Sequence, residues 1–152
     1  MSTKISLNEV VEAFDTLADG VDCYLNRTTG QICPVTDDDR FLVESAKSPE
    51  NLPQWQREAL PLIREVLDSS DWLKLPDRYQ IHEWSIMDRF CRTQDSEARD
   101  ELLDAIHGRG AFRAFRAAVE RLGLRGSWFA YRRHALEEIA SAWLEEHDLS
   151  WE

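Results

Sequence analysis

The stretch Val21-Asp22-Cys23-Tyr24-Leu25-Asn26-Arg27-Thr28-Thr29-Gly30-Gln31-Ile32-Cys33-Pro34-Val35 decides the fold class. Two short β-prone segments, 21–26 and 31–35, flank Arg27-Thr28-Thr29-Gly30, where glycine can take the positive φ that a tight turn demands. The pattern predicts an antiparallel hairpin over 21–35. Upstream, Ser6-Leu7-Asn8-Glu9 has the spacing of a capping box and predicts a helix over 6–18, with Val10, Phe14 and Leu17 inward and Gly20 as its stop.

Downstream of the hairpin, Asp37-Asp38-Asp39 reads as a loop or a helix-capping run; it lacks the glycine and the distal glutamate of a calcium loop. Residues 40–46, with Phe41-Leu42-Val43, are read as a third strand, with a short helix as the alternative, and 48–54 as a connection. Trp55, Ala59, Ile63, Val66 and Leu67 then recur at helical spacing, with Pro61 either kinking that helix or opening a second one. Asp77 is placed to cap a helix over about 78–91 whose apolar residues wrap more than one face. Asp95 or Ser96 caps the next, which faces Leu102, Leu103 and Ile106 inward and ends at Gly108. Gly110 opens another with an inward stripe of Phe112, Phe115, Val119 and Leu122. The last helix, about 127–146, packs Phe129, Leu136, Ile139, Ala140 and Trp143. The expectation is α+β: a mainly helical single domain over 1–152, with helices from about 54 to 147 and a small N-terminal antiparallel hairpin or short sheet.

Composition agrees with a globular chain. Its 152 residues are 43% hydrophobic and include six Trp, six Phe and three Tyr, too much apolar area for a solvated tail. A chain this long buries roughly 70% of its unfolded surface, so folding needs neither metal nor disulfide. Its apolar runs are a few residues long against the ~20 a bilayer requires, so no membrane span is expected. Residues 1–8 lack the apolar core of a secretory leader, and Cys23, Cys33 and Cys91 are an odd number; both favour reduced thiols and a cytoplasmic location. Cys23 and Cys33 lie across the hairpin, where a redox pair is conceivable, but a cysteine is commonly just a small buried hydrophobe.

Three segments, read with the hairpin, carry a family resemblance. They are Leu75-Pro76-Asp77 continuing into Glu83-Trp84-Ser85-Ile86-Met87-Asp88-Arg89-Phe90; Ile106-His107-Gly108-Arg109-Gly110-Ala111-Phe112-Arg113-Ala114-Phe115; and Trp128-Phe129-Ala130-Tyr131-Arg132, ending at Ala142-Trp143-Leu144-Glu145-Glu146. In this order they resemble the bacterial uncharacterised protein family 0158, over about residues 20 to 150. That family has no established activity, so the resemblance implies a small cytosolic bacterial protein and assigns no catalytic residue. Pro61 is the visible departure from its pattern.

Charge is the strongest functional signal. The net charge is −11, yet residues 109–133 hold seven arginines and one acid, Glu120, a local +6 that leaves 11 basic and 28 acidic residues, or −17, for the rest. Arg109, Arg113, Arg116 and Glu120 fall on one helix face away from the Phe112/Phe115 stripe, and Arg132 and Arg133 follow on the next helix. Arginine's planar fork suits carboxylate or phosphate. These five arginines are the candidate anion- or partner-binding residues. The competing reading pairs them with the protein's own surplus carboxylates, such as Asp100, Glu101 and Asp104.

No catalytic constellation accompanies them. Gly108-Arg109-Gly110 lacks the following Lys-Ser/Thr of a phosphate loop and the third glycine of a dinucleotide fingerprint. His82-Glu83 begins like a zinc-protease helix, but position 86 is isoleucine. His107 and His134 flank the arginine segment and read as structural or solvated. No catalytic residue, cofactor or metal is assigned. The reading is a non-catalytic cytosolic interaction or regulatory module that pairs with a protein partner or a second copy of itself. The alternative is an anion-binding protein for RNA or a nucleotide phosphate, opposed at long range by the −11 charge.

Overall fold

A computed structural model describes residues 4–45, 50 and 52–152. The elements are α1 (Leu7–Phe14), β1 (Val21–Asn26), β2 (Ile32–Thr36), α2 (Asp37–Ser45), α3 (Gln54–Asp68), β3 (Trp72–Lys74), α4 (Arg78–Ile81), α5 (Glu83–Arg92), α6 (Ser96–Ile106), α7 (Ala111–Arg121) and α8 (Arg125–Glu146). The fold is α+β and mainly helical, with one small antiparallel sheet. The chain forms two compact units, residues 1–77 with 141–152, and residues 78–140. Among the described residues no helix is long and apolar enough to cross a membrane.

In the first unit the hairpin forms where expected. Asn26 explains its turn: the side-chain oxygen accepts from the N–H groups of Thr28 (2.8 Å) and Thr29 (3.0 Å), and Gly30 supplies a φ of +79°. The strand order is β2-β1-β3, with Cys23 opposite Pro34, Tyr24 opposite Cys33 and Asn26 opposite Trp72. Pro34 lies on an edge strand, where a missing N–H costs no ladder bond. Alternation sends Cys33, Val35 and Trp72 to one face, against Ile63 and Val66 of α3, and Cys23 to the other, where its Sγ lies 3.6 Å from Thr16 Oγ1 at the end of α1. Cys23 and Cys33 therefore stand on opposite faces of the sheet, and all three cysteines are free and buried. Ser6 caps α1 through its Oγ, which accepts from Glu9 N–H at 3.2 Å. The helix ends at Phe14, four residues earlier than the pattern suggested, where the Thr16 hydroxyl donates back to Ala13 O at 2.7 Å. Ile5 pairs with Trp151, which ties the first described residues to the last.

Other expectations in this unit are corrected as well. Residues 40–45, read as strand with a short helix as the alternative, are helix, and the aspartate run 37–39 forms its first turn: Thr36 N–H donates to Asp39 Oδ2 and Asp39 N–H to Thr36 Oγ1, each at 3.0 Å. This is a reciprocal cap, and three aspartates in the first turn complement the helix dipole. The third strand is instead β3, which pairs with β1 from across α2 and α3. Residue 46 and, of the connection expected over 48–54, residues 48, 49 and 51 lie outside the described residues, and Gln54 already opens α3. The single helix α3 runs through Pro61, which is exposed. The proline leaves the Arg57 carbonyl without its i+4 donor on the exposed side of the helix. Trp55, expected inward, is 68% exposed.

The second unit holds α4 to α7 and α8 as far as Ala140. Its core is aromatic: the Phe90 ring lies 6.2, 5.3 and 5.4 Å from those of Phe115, Trp128 and Tyr131, and Phe115 lies 4.8 Å from Trp128. The helix expected over 78–91 is two helices, broken at His82, which takes a left-handed φ of +56°. The break explains the apolar pattern that wrapped more than one face. Ile81 is buried from α4 and Ile86, Met87, Phe90 and Cys91 from α5, while Tyr79 is exposed. Asp95 caps α6 by accepting from Ala98 N–H at 3.0 Å.

Candidate functional site

All five candidate arginines lie in the second unit, and the structure divides them. Arg109 sits in the turn between α6 and α7, and Arg113 and Arg116 project from α7 on the side away from the buried Phe115, Ala118 and Val119. All three are exposed and have no hydrogen-bond, ion-pair or ring partner among the described residues. Arg132 is held: its Nε donates to Glu83 Oε1 at 2.6 Å and its Nη2 to Glu83 Oε2 at 3.5 Å, with both side chains largely covered. Arg133 pairs with Glu137 one turn along α8, at 3.2 Å. The self-pairing reading thus describes Arg132 and Arg133, and also Arg121, which pairs with Glu101 of α6. It does not describe the three arginines at the start of α7.

The histidines around this segment are engaged locally. His107 Nδ1 lies 2.6 Å from Leu103 O, and its ring stands edge-on to Trp84, whose Nε1–H donates to Ile106 O at 3.0 Å. His134 lies 2.8 Å from Glu138, one turn away. No group of three or more His, Cys, Asp or Glu side chains is placed to hold a metal ion among the described residues.

Two aromatic residues belong to the surface that sequence reading assigned to the core. Phe112 is 50% and Phe129 53% exposed. In the first turn of α7 the half-buried positions are Ala111 and Ala114, so the inward stripe begins there and Phe112 falls at its flank, one turn before Arg116. At the start of α8, Trp128 takes the buried position and Phe129 turns outward, where the Arg125 guanidinium lies 5.5 Å from its ring centre. The small alanines at 111, 114 and 118, half-buried or buried, are the signal that α7 packs on that side without needing Phe112.

A second feature lies in the first unit. An open depression of about 460 Å³ between α1 and the hairpin, the α1–hairpin cavity, is floored by the buried Ala13 and Cys23, with Ile32 and the exposed Pro34 along one side and Glu9 and Glu12 on its rim. Burial pushes the Cys23 thiol above its ordinary pKa, and the Thr16 hydroxyl partly offsets the shift. That thiol is therefore protonated at neutral pH and is part of the floor rather than a nucleophile.

The chain matches one family over residues 3–151, nearly its whole length, described as Uncharacterised protein family (UPF0158). The match includes α1, upstream of the segments that carry the resemblance. No curated protein and no solved structure matches the chain.

Proposed function

We propose that this chain, which belongs to the Uncharacterised protein family (UPF0158), is a non-catalytic interaction module whose contact surface is the exposed face of α7 with the start of α8. The observation that carries this reading is the contrast among the arginines. Arg121, Arg132 and Arg133 are engaged with carboxylates, while Arg109, Arg113 and Arg116 stand exposed, without a partner among the described residues, beside the half-exposed Phe112. Arginine and aromatic side chains dominate the energetics of protein interfaces, because one supplies a carboxylate fork and the other a large apolar area. The partner is accordingly a protein surface that presents carboxylates around an apolar recess. A photoreactive benzoylphenylalanine in place of Phe112 tests this in cells. A protein adduct that disappears with Arg113→Glu plus Arg116→Glu is expected. Its persistence with those changes, or no adduct, rejects the reading.

The pairing of Arg125 with the exposed Phe129 ring favours a second reading, single-stranded RNA, since bases stack on such rings and phosphates take free guanidinium groups. The −11 net charge works against it at long range. Fluorescence polarisation of a labelled single-stranded RNA at low salt decides. This reading requires binding that falls steeply with salt and with Arg113→Ala plus Arg116→Ala, and salt-insensitive or absent binding removes it.

A further inference from the structure

The exposed face of α7 and the cavity of the first unit are complementary in shape of charge and in spacing. Glu9 and Glu12 are three residues apart on α1, both exposed, and neither forms an ion pair among the described residues. Arg113 and Arg116 are likewise three apart on α7 and unpaired. Residues three apart on a helix surface are neighbours at about 5–6 Å, so two carboxylates on one helix match two guanidinium groups on the other in separation as well as sign. Between the carboxylates and the hairpin lies an open, largely apolar depression of about 460 Å³, on which a phenyl group can rest with its neighbouring aliphatic stems. Next to the guanidinium groups stands Phe112, half-exposed.

We infer that the chain self-associates, with α7 of one copy docked on the α1–hairpin cavity of a second copy. Phe112 enters over Cys23, Ile32 and Pro34, and Arg113 and Arg116 pair with Glu9 and Glu12. This rests on the reading of the α7 face as an interaction surface and names its partner. Two copies that exchange this contact reciprocally close as an isologous dimer, whereas the contact made one way only is heterologous and builds rings or chains.

Sedimentation and light scattering on the full chain test this with a charge swap. Wild type is expected to show a mass above the 17.7 kDa monomer that rises with concentration. Glu9→Arg plus Glu12→Arg, and separately Arg113→Glu plus Arg116→Glu, should each weaken association at least tenfold. Mixing the two variants, or combining all four changes in one chain, should restore it, which also demonstrates that the variants are folded. Phe112→Ala should weaken association without altering the helical circular dichroism. A mass of one monomer at every concentration, or association indifferent to both reversals, overturns the proposal. So does association lost with the α7 reversal but untouched by the α1 reversal. In the first and last of these cases the photoadduct at position 112 separately decides whether the α7 face still serves another protein, so self-docking and the broader reading fail by different measurements.

Discussion

Arg132 and Glu83, separated by 49 positions in the chain, meet in a two-pronged ion pair that joins α8 to the first turn of α5. Both side chains are about three-quarters covered, so the pair lies between the exposed class, worth little, and the fully buried class, whose breaking is costly. The Glu83 carboxylate also sits where the N-terminal dipole of α5 favours negative charge, so it is not stranded when Arg132 is removed. Arg132→Ala is expected to cost about 1–2 kcal/mol, and a double-mutant cycle with Glu83→Ala to give a coupling of about 1 kcal/mol by urea denaturation. A coupling near zero would show that the two groups are neighbours without energetic linkage.

The cap of α2 predicts a similar loss from a smaller contact. Asp39→Ala removes the acceptor of Thr36 N–H, and Thr36→Val removes the acceptor of Asp39 N–H. Each is expected to destabilise by about 1 kcal/mol, and the double variant by less than the sum, because the two bonds form one reciprocal cap. Circular dichroism melts check this. Full additivity would mean that the two bonds act independently.

Glycines 123 and 126 should respond to the same substitution with opposite signs. Gly123 has a φ of +70° just beyond α7, with its N–H bonded to Glu120 O and the next N–H, of Leu124, bonded to Val119 O. That double bond pattern requires a left-handed residue, and an alanine there is strained although nothing lies within 4 Å of its Cβ. Gly126 is inside α8 with open space around it. Gly123→Ala is expected to destabilise by about 1 kcal/mol and Gly126→Ala to stabilise by about 0.5–1 kcal/mol, measured by chemical denaturation. Equal signs would contradict this account of the α7–α8 turn.

The hairpin, the caps at Ser6 and Asp95 and the extent of α6, α7 and α8 were legible because each rests on local chemistry: a glycine turn, a capping side chain, or an inward stripe of 3.6-residue period. The failures were non-local or depended on competition between aromatic residues. Nothing near Trp72 announces that it pairs with Asn26, since the partner strand lies far upstream. Periodicity placed Phe112 and Phe129 inside, but the core has room for Phe115 and Trp128 at those levels, and the other two are left outside. Nor could helical phase separate Arg116 from Arg132, since only the tertiary position of Glu83 decides which guanidinium is occupied.

The three thiols predict a pH limit on stability. Cys91 is fully buried on α5, and burial, with the neighbouring Asp88 carboxylate, pushes its pKa up to about 11; burial raises Cys23 and Cys33 as well. A thiol that holds its proton more tightly when folded contributes stability that is complete below its unfolded pKa, the ordinary thiol value of 9.0, and declines as pH rises toward its folded value. Midpoints of thermal unfolding should therefore be insensitive to these groups up to about pH 9 and fall between about pH 9 and 11. Cys91→Ala should flatten that fall while lowering stability at neutral pH through the cavity it leaves. The same burial predicts that iodoacetamide labels the native protein at neutral pH far more slowly than the unfolded chain at all three positions. Rapid labelling of Cys23 alone would mean that the α1–hairpin cavity opens its floor to solvent, and that the surface on which a second copy is proposed to dock is not preformed.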